Sequence, residues 1–227
     1  MTNATLLSAL ELVTGHNPVG SVIWMHGLGA DGNDFVPVVK ELGLPDNLPL
    51  RFIFPHAPMR AVTINGGHVM RAWYDIFEIS SIERKVDEAG IRESQRAVEA
   101  LIAREVSRGI AENRIVLAGF SQGGAIALHT GLRHQQALAG ILALSTYLSL
   151  ANSLDAEASA ANRKIPIFMA HGKQDNVIPI SIAENSHQEL KRHGYSVEWQ
   201  AYPMAHSVAM EEIEHIGAWL QARFVVR

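Results

Sequence analysis

The feature that most constrains this chain is a repeated switch between two apolar patterns. Short, solid apolar runs at 21–25, 51–54, 114–118, 139–144, 165–170 and 196–202 alternate with longer stretches of helical periodicity. A strand buried on both faces reads as a solid run, and helices that cover a parallel sheet read as the stretches between. The helical candidates are 34–42, with Pro37 in its first turn, then 88–108, 122–134, 181–193 and 208–224. In the second of these, Ile91, Val98, Leu101, Ile102 and Val106 share one face, so that helix covers a sheet. The pattern predicts an α/β fold with a mostly parallel central sheet flanked by helices.

At 227 residues the chain suits one large core, and one domain over 1–227 is expected. Segment 55–79 fits neither pattern. It carries Ala61 to Asn65 and His68 to Met70 around Gly66-Gly67, which reads as a small hairpin or irregular excursion. With a net charge of −4 and no basic cluster longer than a pair, the chain offers no electrostatic footprint for nucleic acid. The absence of cysteine removes disulfides, thiolate metal sites and a cysteine nucleophile together. No apolar run approaches the ~18 residues of a membrane span, and the N-terminus lacks the basic start of a secretory signal. No integral membrane association and a cytoplasmic location are therefore expected.

The chemistry is announced at 114–129. A strand-like run leads into Gly119-Phe120-Ser121-Gln122-Gly123-Gly124, and helical spacing resumes at once. A sharp strand-to-helix turn lifts a serine hydroxyl over the sheet edge, and flanking glycines leave room where side chains would collide. Two glycines and a serine can also meet by chance in a turn. The strand before and the helix after make Ser121 a candidate nucleophile.

Acyl transfer needs two fixed donors for the tetrahedral oxyanion, one after the nucleophile and one from an earlier strand-to-helix loop. The run at 21–25 ends in His26-Gly27-Leu28-Gly29-Ala30-Asp31-Gly32, so the backbone N–H groups of Leu28 and Gln122 are assigned to the oxyanion hole. A phosphate cradle is the competing reading of such a loop. It is disfavoured by Asp31 and Asp34 and by the lack of a Lys-Ser/Thr ending.

In this arrangement the acid and then the base follow the serine along the chain. Asp175 stands just past the run at 165–170, and His206 stands in a loop before the last helix. Asp155 and Glu157 compete for the acid role but lie in a polar stretch, 152–162, that reads as solvated. Of eleven histidines, His187, His193 and His215 fall on expected helices, while His26 and His171 open loops and suit structural hydrogen bonds. No His-Glu-x-x-His or grouped metal-ligand pattern occurs, so no metal is expected.

With these residues in hand, the sequence resembles the carboxylesterase, lysophospholipase and acyl-protein thioesterase family of small α/β-hydrolases. The carriers are residues 26–35, Phe54-Pro55-His56-Ala57-Pro58, Arg71-Ala72-Trp73-Tyr74-Asp75, residues 119–125, and His171-Gly172 with Asp175 and Val177-Ile178-Pro179. One departure is Ala205 before His206, where the family usually has glycine. Because alanine tolerates positive φ poorly, a slightly different loop path is expected there. The resemblance implies a compact α/β-hydrolase core, hydrolysis of short- to medium-chain acyl esters or thioesters without a cofactor, lipidated proteins among the substrates, and a weak homodimer.

Only about 20 residues separate the runs at 139–144 and 165–170, too few for a lid domain. The resemblance then sets the acyl groove against the excursion and the loop after Ser145. Met59, Val62, Ile64, Trp73, Ile76, Phe77, Tyr147 and Leu148 are its candidate wall residues. Trp73 and Phe77 suit the core equally well, since large aromatics bury with or without a ligand. A hydrolase-fold binding protein that has lost its chemistry is the alternative function, and a fluorophosphonate probe separates the two.

Overall fold

The computed structural model describes residues 6–77 and 86–224. The end of the excursion, Glu78 and Ile79, lies outside these residues. Seven strands form the central sheet: β1 (Ala9–Val13), β2 (Gly20–Met25), β3 (Leu50–Pro55), β6 (Ile115–Phe120), β7 (Gly140–Leu144), β8 (Ile167–Gly172) and β9 (Val197–Tyr202). Their order is β1-β3-β2-β6-β7-β8-β9, parallel throughout except that β1 runs antiparallel to β3. All six solid apolar runs are strands of this sheet. The seventh, β1, is a partly exposed edge strand without a solid run, so its sequence carries no comparable signal.

The excursion is an antiparallel pair, β4 (Met59–Val62) with β5 (His68–Arg71), joined through a 3₁₀ turn at Thr63–Asn65. Gly66 and Gly67 close it at φ 66 and 78, a region glycine enters without a Cβ penalty. Four of the five expected helices are α-helices: α1 (Glu88–Ser107), α2 (Gln122–Arg133), α4 (Ile180–Arg192) and α5 (Met210–Phe224). The fifth, expected over 34–42, is a 3₁₀ helix at Val36–Glu41 with Pro37 in its first turn.

Alternation along the strands divides the core. On β2, Ile23 and Met25 face a layer with Ile91, Val98 and Leu101 of α1, Ala125 and Leu128 of α2, and Leu190 of α4. Val22 and Trp24 face the other layer, with Ile213, Ile216, Trp219 and Leu220 of α5 and Val39 of the 3₁₀ helix. Every residue of α2 is buried, so the helix that follows Ser121 is locked in the middle of the molecule. Between β7 and β8 there is one helical turn, α3 (Leu154–Glu157), flanked by 3₁₀ turns, with no inserted lid. Among the described residues no helix is long and apolar enough to cross a membrane.

Candidate active site

The site forms where β2, β6 and β8 end on the same edge of the sheet. Ser121 joins β6 to α2 at φ 55 and ψ −120, a backbone state that costs a non-glycine residue about 1–3 kcal/mol. The turn is held by the Ser121 N–H on the Leu144 carbonyl at 2.8 Å and by the Thr146 hydroxyl on the Ser121 carbonyl at 2.6 Å. The neighbouring glycines are needed for space. A Cβ on Gly119 would overlap the backbone of Gly123, and one on Gly123 would overlap the Met25 and His26 carbonyls at the end of β2.

That close approach sets the 26–29 loop beside the serine. His26 donates from Nδ1 to the Gly27 carbonyl at 2.7 Å and accepts the Ala57 N–H at Nε2, 3.1 Å away. Accepting at Nε2 requires a neutral ring, and burial pushes the His26 pKa below its ordinary value. The Trp73 indole N–H donates to the His26 carbonyl at 2.9 Å, and the Gly29 N–H donates to the Arg71 carbonyl at 2.9 Å. Leu28 lies between these anchors, and its N–H has no hydrogen-bond partner among the described residues. Gln122 is the first residue of α2, where N–H groups lack an intrahelical acceptor. Its side chain is occupied elsewhere, accepting the Trp73 N–H at 2.8 Å and donating to the Tyr74 carbonyl at 2.7 Å.

Asp175 follows β8 in a tight turn. Its Oδ1 accepts the N–H groups of Val177 and Ile178, both at 2.8 Å, while Oδ2 lies 2.7 Å from His206 Nδ1. The two loops are zipped together by Lys173 N–H on Tyr202 O at 2.8 Å and Gln174 N–H on Met204 O at 3.0 Å. Gly172 permits this approach, because a Cβ there would run into the Met204 and Ala205 carbonyls. Ala205 does not adopt positive φ, so this path puts no such strain on the alanine. The Phe120 ring packs 4.8 Å from the His206 ring.

The competing acids are otherwise engaged. Asp155 has an 88% exposed side chain and meets His193 at 3.2 Å. Burial would raise Glu157, but hydrogen bonds from Arg92, Arg133 and Ser153 hold its pKa at about 2.

Ser121, His206, Leu28 and Gln122 line one cavity of about 240 Å³, with Gly27, Ala30, Asp34, Ile76, Phe120, Tyr147, Val177 and Ile178. Of the eight expected groove residues, Ile76 and Tyr147 line it, the Tyr147 hydroxyl 2.8 Å from that of Tyr74, while Val62 is buried. Trp73 corrects the expectation: it is 0% exposed, and its indole supports the 26–29 loop from within the core. Met59, 58% exposed, belongs instead to an adjoining open cleft of about 580 Å³ that includes Met70 and Arg71 and shares Ala30 and Asp34 with the first. Ile64 stands in the hairpin turn, and Phe77 and Leu148 are half-buried; none of the three lines the cavity. Sequence reasoning missed Phe120, Val177 and Ile178 as wall residues, although each sits in a motif beside Ser121 or Asp175. Among the described residues no three His, Asp or Glu side chains gather as a metal site.

Comparison with known proteins gives the chain its family. The phospholipase/carboxylesterase family model matches residues 12–223. Acyl-protein thioesterase 1 of Neurospora crassa is 41% identical, covering 89% of this chain and 86% of the relative. The Yarrowia lipolytica protein of the same name is 38% identical, covering 88% and 90%. Among solved structures, acyl-protein thioesterase 2 of Zea mays superposes with a TM-score of 0.85 at 27% identity, covering 96% of this chain and 99% of that one. SOBER1 of Arabidopsis thaliana superposes with the same TM-score at 29% identity, covering 90% and 98%. The fold is thus that of the α/β-hydrolases, and a match over almost the whole described chain makes this protein a member of the phospholipase/carboxylesterase family.

Proposed function

We propose that this hydrolase cleaves short- to medium-chain acyl esters and thioesters through a covalent Ser121 acyl-enzyme. Membership of the family, with curated relatives at about 40% identity, carries the general activity of a serine esterase or thioesterase. The assignment of roles is our own. It rests above all on one observation: His206 holds a 2.7 Å contact to the buried Asp175 carboxylate while sharing a cavity with Ser121.

In this reading His206 Nε2 removes the Ser121 proton as Oγ attacks the acyl carbonyl. Asp175 Oδ2 accepts the Nδ1–H, fixes the tautomer and stabilises the imidazolium. The oxyanion is taken up by the N–H groups of Leu28 and Gln122. Collapse expels the alcohol or thiol, which receives its proton from His206. Water then attacks the acyl group by the same route in reverse, restoring Ser121.

Two named groups of relatives, acyl-protein thioesterases 1 and 2, support an acylated protein as substrate, with the thioester of a cysteine as the scissile bond. A cytoplasmic location and a weak homodimer belong to the same proposal, the latter tested by sedimentation velocity. The central test is labelling by a fluorophosphonate together with hydrolysis of matched octanoyl oxygen esters and thioesters. Labelling and both activities should vanish in Ser121→Ala. A folded Ser121→Ala that still hydrolyses either substrate would overturn the assignment.

A further inference from the structure

Asp175 faces two imidazoles. His206 Nδ1 lies 2.7 Å from Oδ2, and on the other side His171 Nε2 lies 3.3 Å from the same oxygen. His171 is the penultimate residue of β8, with a side chain that is 0% exposed. Its Nε2–H donates to the Ile178 carbonyl at 2.8 Å, and its Nδ1 is buried with no hydrogen-bond partner among the described residues.

This environment selects one form of the ring. Moving the proton to Nδ1 would leave it without an acceptor and would turn the Nε2 lone pair toward a carbonyl and a carboxylate, both acceptors. Protonating both nitrogens would likewise bury a donor with no partner. Burial accordingly pushes the His171 pKa below its ordinary value, against the upward pull of the Ile178 carbonyl and Asp175; His206 and Glu184 also act on the ring. His171 is thus a neutral, fixed dipole whose positive end lies beside the Asp175 carboxylate. Trp199 stacks on the ring at 6.5 Å and 16°, and itself stacks with His187.

We propose that His171 is a positioning residue for hydrolysis, acting through Asp175. Its bond to Ile178 closes the 175–178 turn from one side while Asp175 Oδ1 closes it from the other, through the N–H groups of Val177 and Ile178. The turn then presents Oδ2 to His206, and Ile178 to the cavity. The same N–H dipole draws charge from Oδ2, and so limits how strongly Asp175 stabilises the His206 imidazolium. The inference rests on the reading of Asp175 as the acid partner of His206.

The test compares His171→Phe, which keeps an aromatic ring on Trp199 but deletes the donor, with His171→Gln, whose amide N–H can replace it. Folding is checked by thermal melting and fluorophosphonate labelling. In His171→Phe, kcat on an octanoyl ester should fall about tenfold with KM near wild type. The acidic limb of its pH–rate profile should move to higher pH, since the bare carboxylate holds the imidazolium more tightly. His171→Gln should recover part of both changes. Unchanged kcat and an unmoved limb in folded His171→Phe would overturn the proposal, as would equal losses in both variants with the limb unmoved. Asp175→Asn separates the levels: wild-type activity there would overturn the underlying acid assignment. If His171→Phe does not fold, ¹⁵N NMR of the wild type still decides. A neutral Nε2–H ring at pH 6 is expected, and a protonated or Nδ1–H ring would refute the proposal.

Discussion

The side-chain carbonyl of Gln122 accepts the backbone N–H of Trp73 at 2.8 Å, and its amide returns a bond to the Tyr74 carbonyl at 2.7 Å. One residue thereby lines the cavity and ties the segment after the hairpin to the helix that follows Ser121. Gln122→Ala keeps the backbone N–H but removes the acceptor of the buried Trp73 N–H and one donor to the Tyr74 carbonyl. We expect a loss of about 1–3 kcal/mol for the buried Trp73 N–H, partly relieved by water, and a smaller drop in kcat than in Ser121→Ala. Chemical denaturation and steady-state kinetics measure both. An unchanged midpoint would show that the clamp is dispensable.

Ser121→Ala and His206→Ala should each reduce kcat on a p-nitrophenyl ester by several orders of magnitude, and the double variant should lose little more. Residues that act as one proton relay show such non-additivity. Multiplying losses would argue that the two work independently.

Leu28 tests the oxyanion assignment. Leu28→Ala retains the N–H and should cost less than about tenfold, whereas Leu28→Pro deletes it; losing one such donor costs roughly 10² to 10³ in kcat. Proline also restrains its own φ and the residue before it, so folding must first be established by melting and probe labelling. Near-normal kcat in a folded Leu28→Pro protein would move the donor elsewhere, with Gly29 next in line.

The cavity of about 240 Å³ lies below the ~300–1,000 Å³ of pockets for drug-sized ligands, and no inserted lid extends it. Octanoyl esters should therefore turn over faster than oleoyl esters. A steady gain in kcat/KM out to long chains would contradict this, as would activation at a lipid interface.

Glu212 on α5 makes stability depend on pH. Burial pushes its carboxyl up to about 8, opposed only by the Ala209 N–H on Oε2, while Oε1 has no partner. In the folded state the group keeps a proton that the unfolded chain releases near 4.5, so folding binds a proton between these values. Stability should be full below pH 4.5 as far as this group is concerned, fall as pH rises through the window, and level off above 8. Glu212→Gln should flatten that slope, gaining on the order of a few kcal/mol over wild type at pH 9 relative to pH 5. Parallel stability curves for the two proteins would refute it.

What the sequence by itself determined is what buried strands and tight turns write locally. Five of the six strands are legible because burial on both faces demands solid apolar runs, as in Ile141 to Leu144, whereas β9 is the other, partly exposed edge. The turn at Ser121 is legible because Gly119 and Gly123 stand where any Cβ would strike backbone. The order of Ser121, Asp175 and His206 follows from which strand ends share an edge of a parallel sheet. Tertiary structure alone decided the rest. Edge strand β1 centres on Glu11, whose ion pairs with Arg104 of α1 and Arg108 just past its end exist only after folding. The cavity wall is drawn from Leu28, Ile76, Phe120, Tyr147 and Ile178, residues far apart in the chain that no local period relates. Trp73 and Tyr147 look equally suited to such a wall in sequence; only the packing of Trp73 against His26 buries one and leaves the other lining the cavity. Local patterns report whether a side chain is buried, whereas the neighbour it is buried against is set by how distant segments converge.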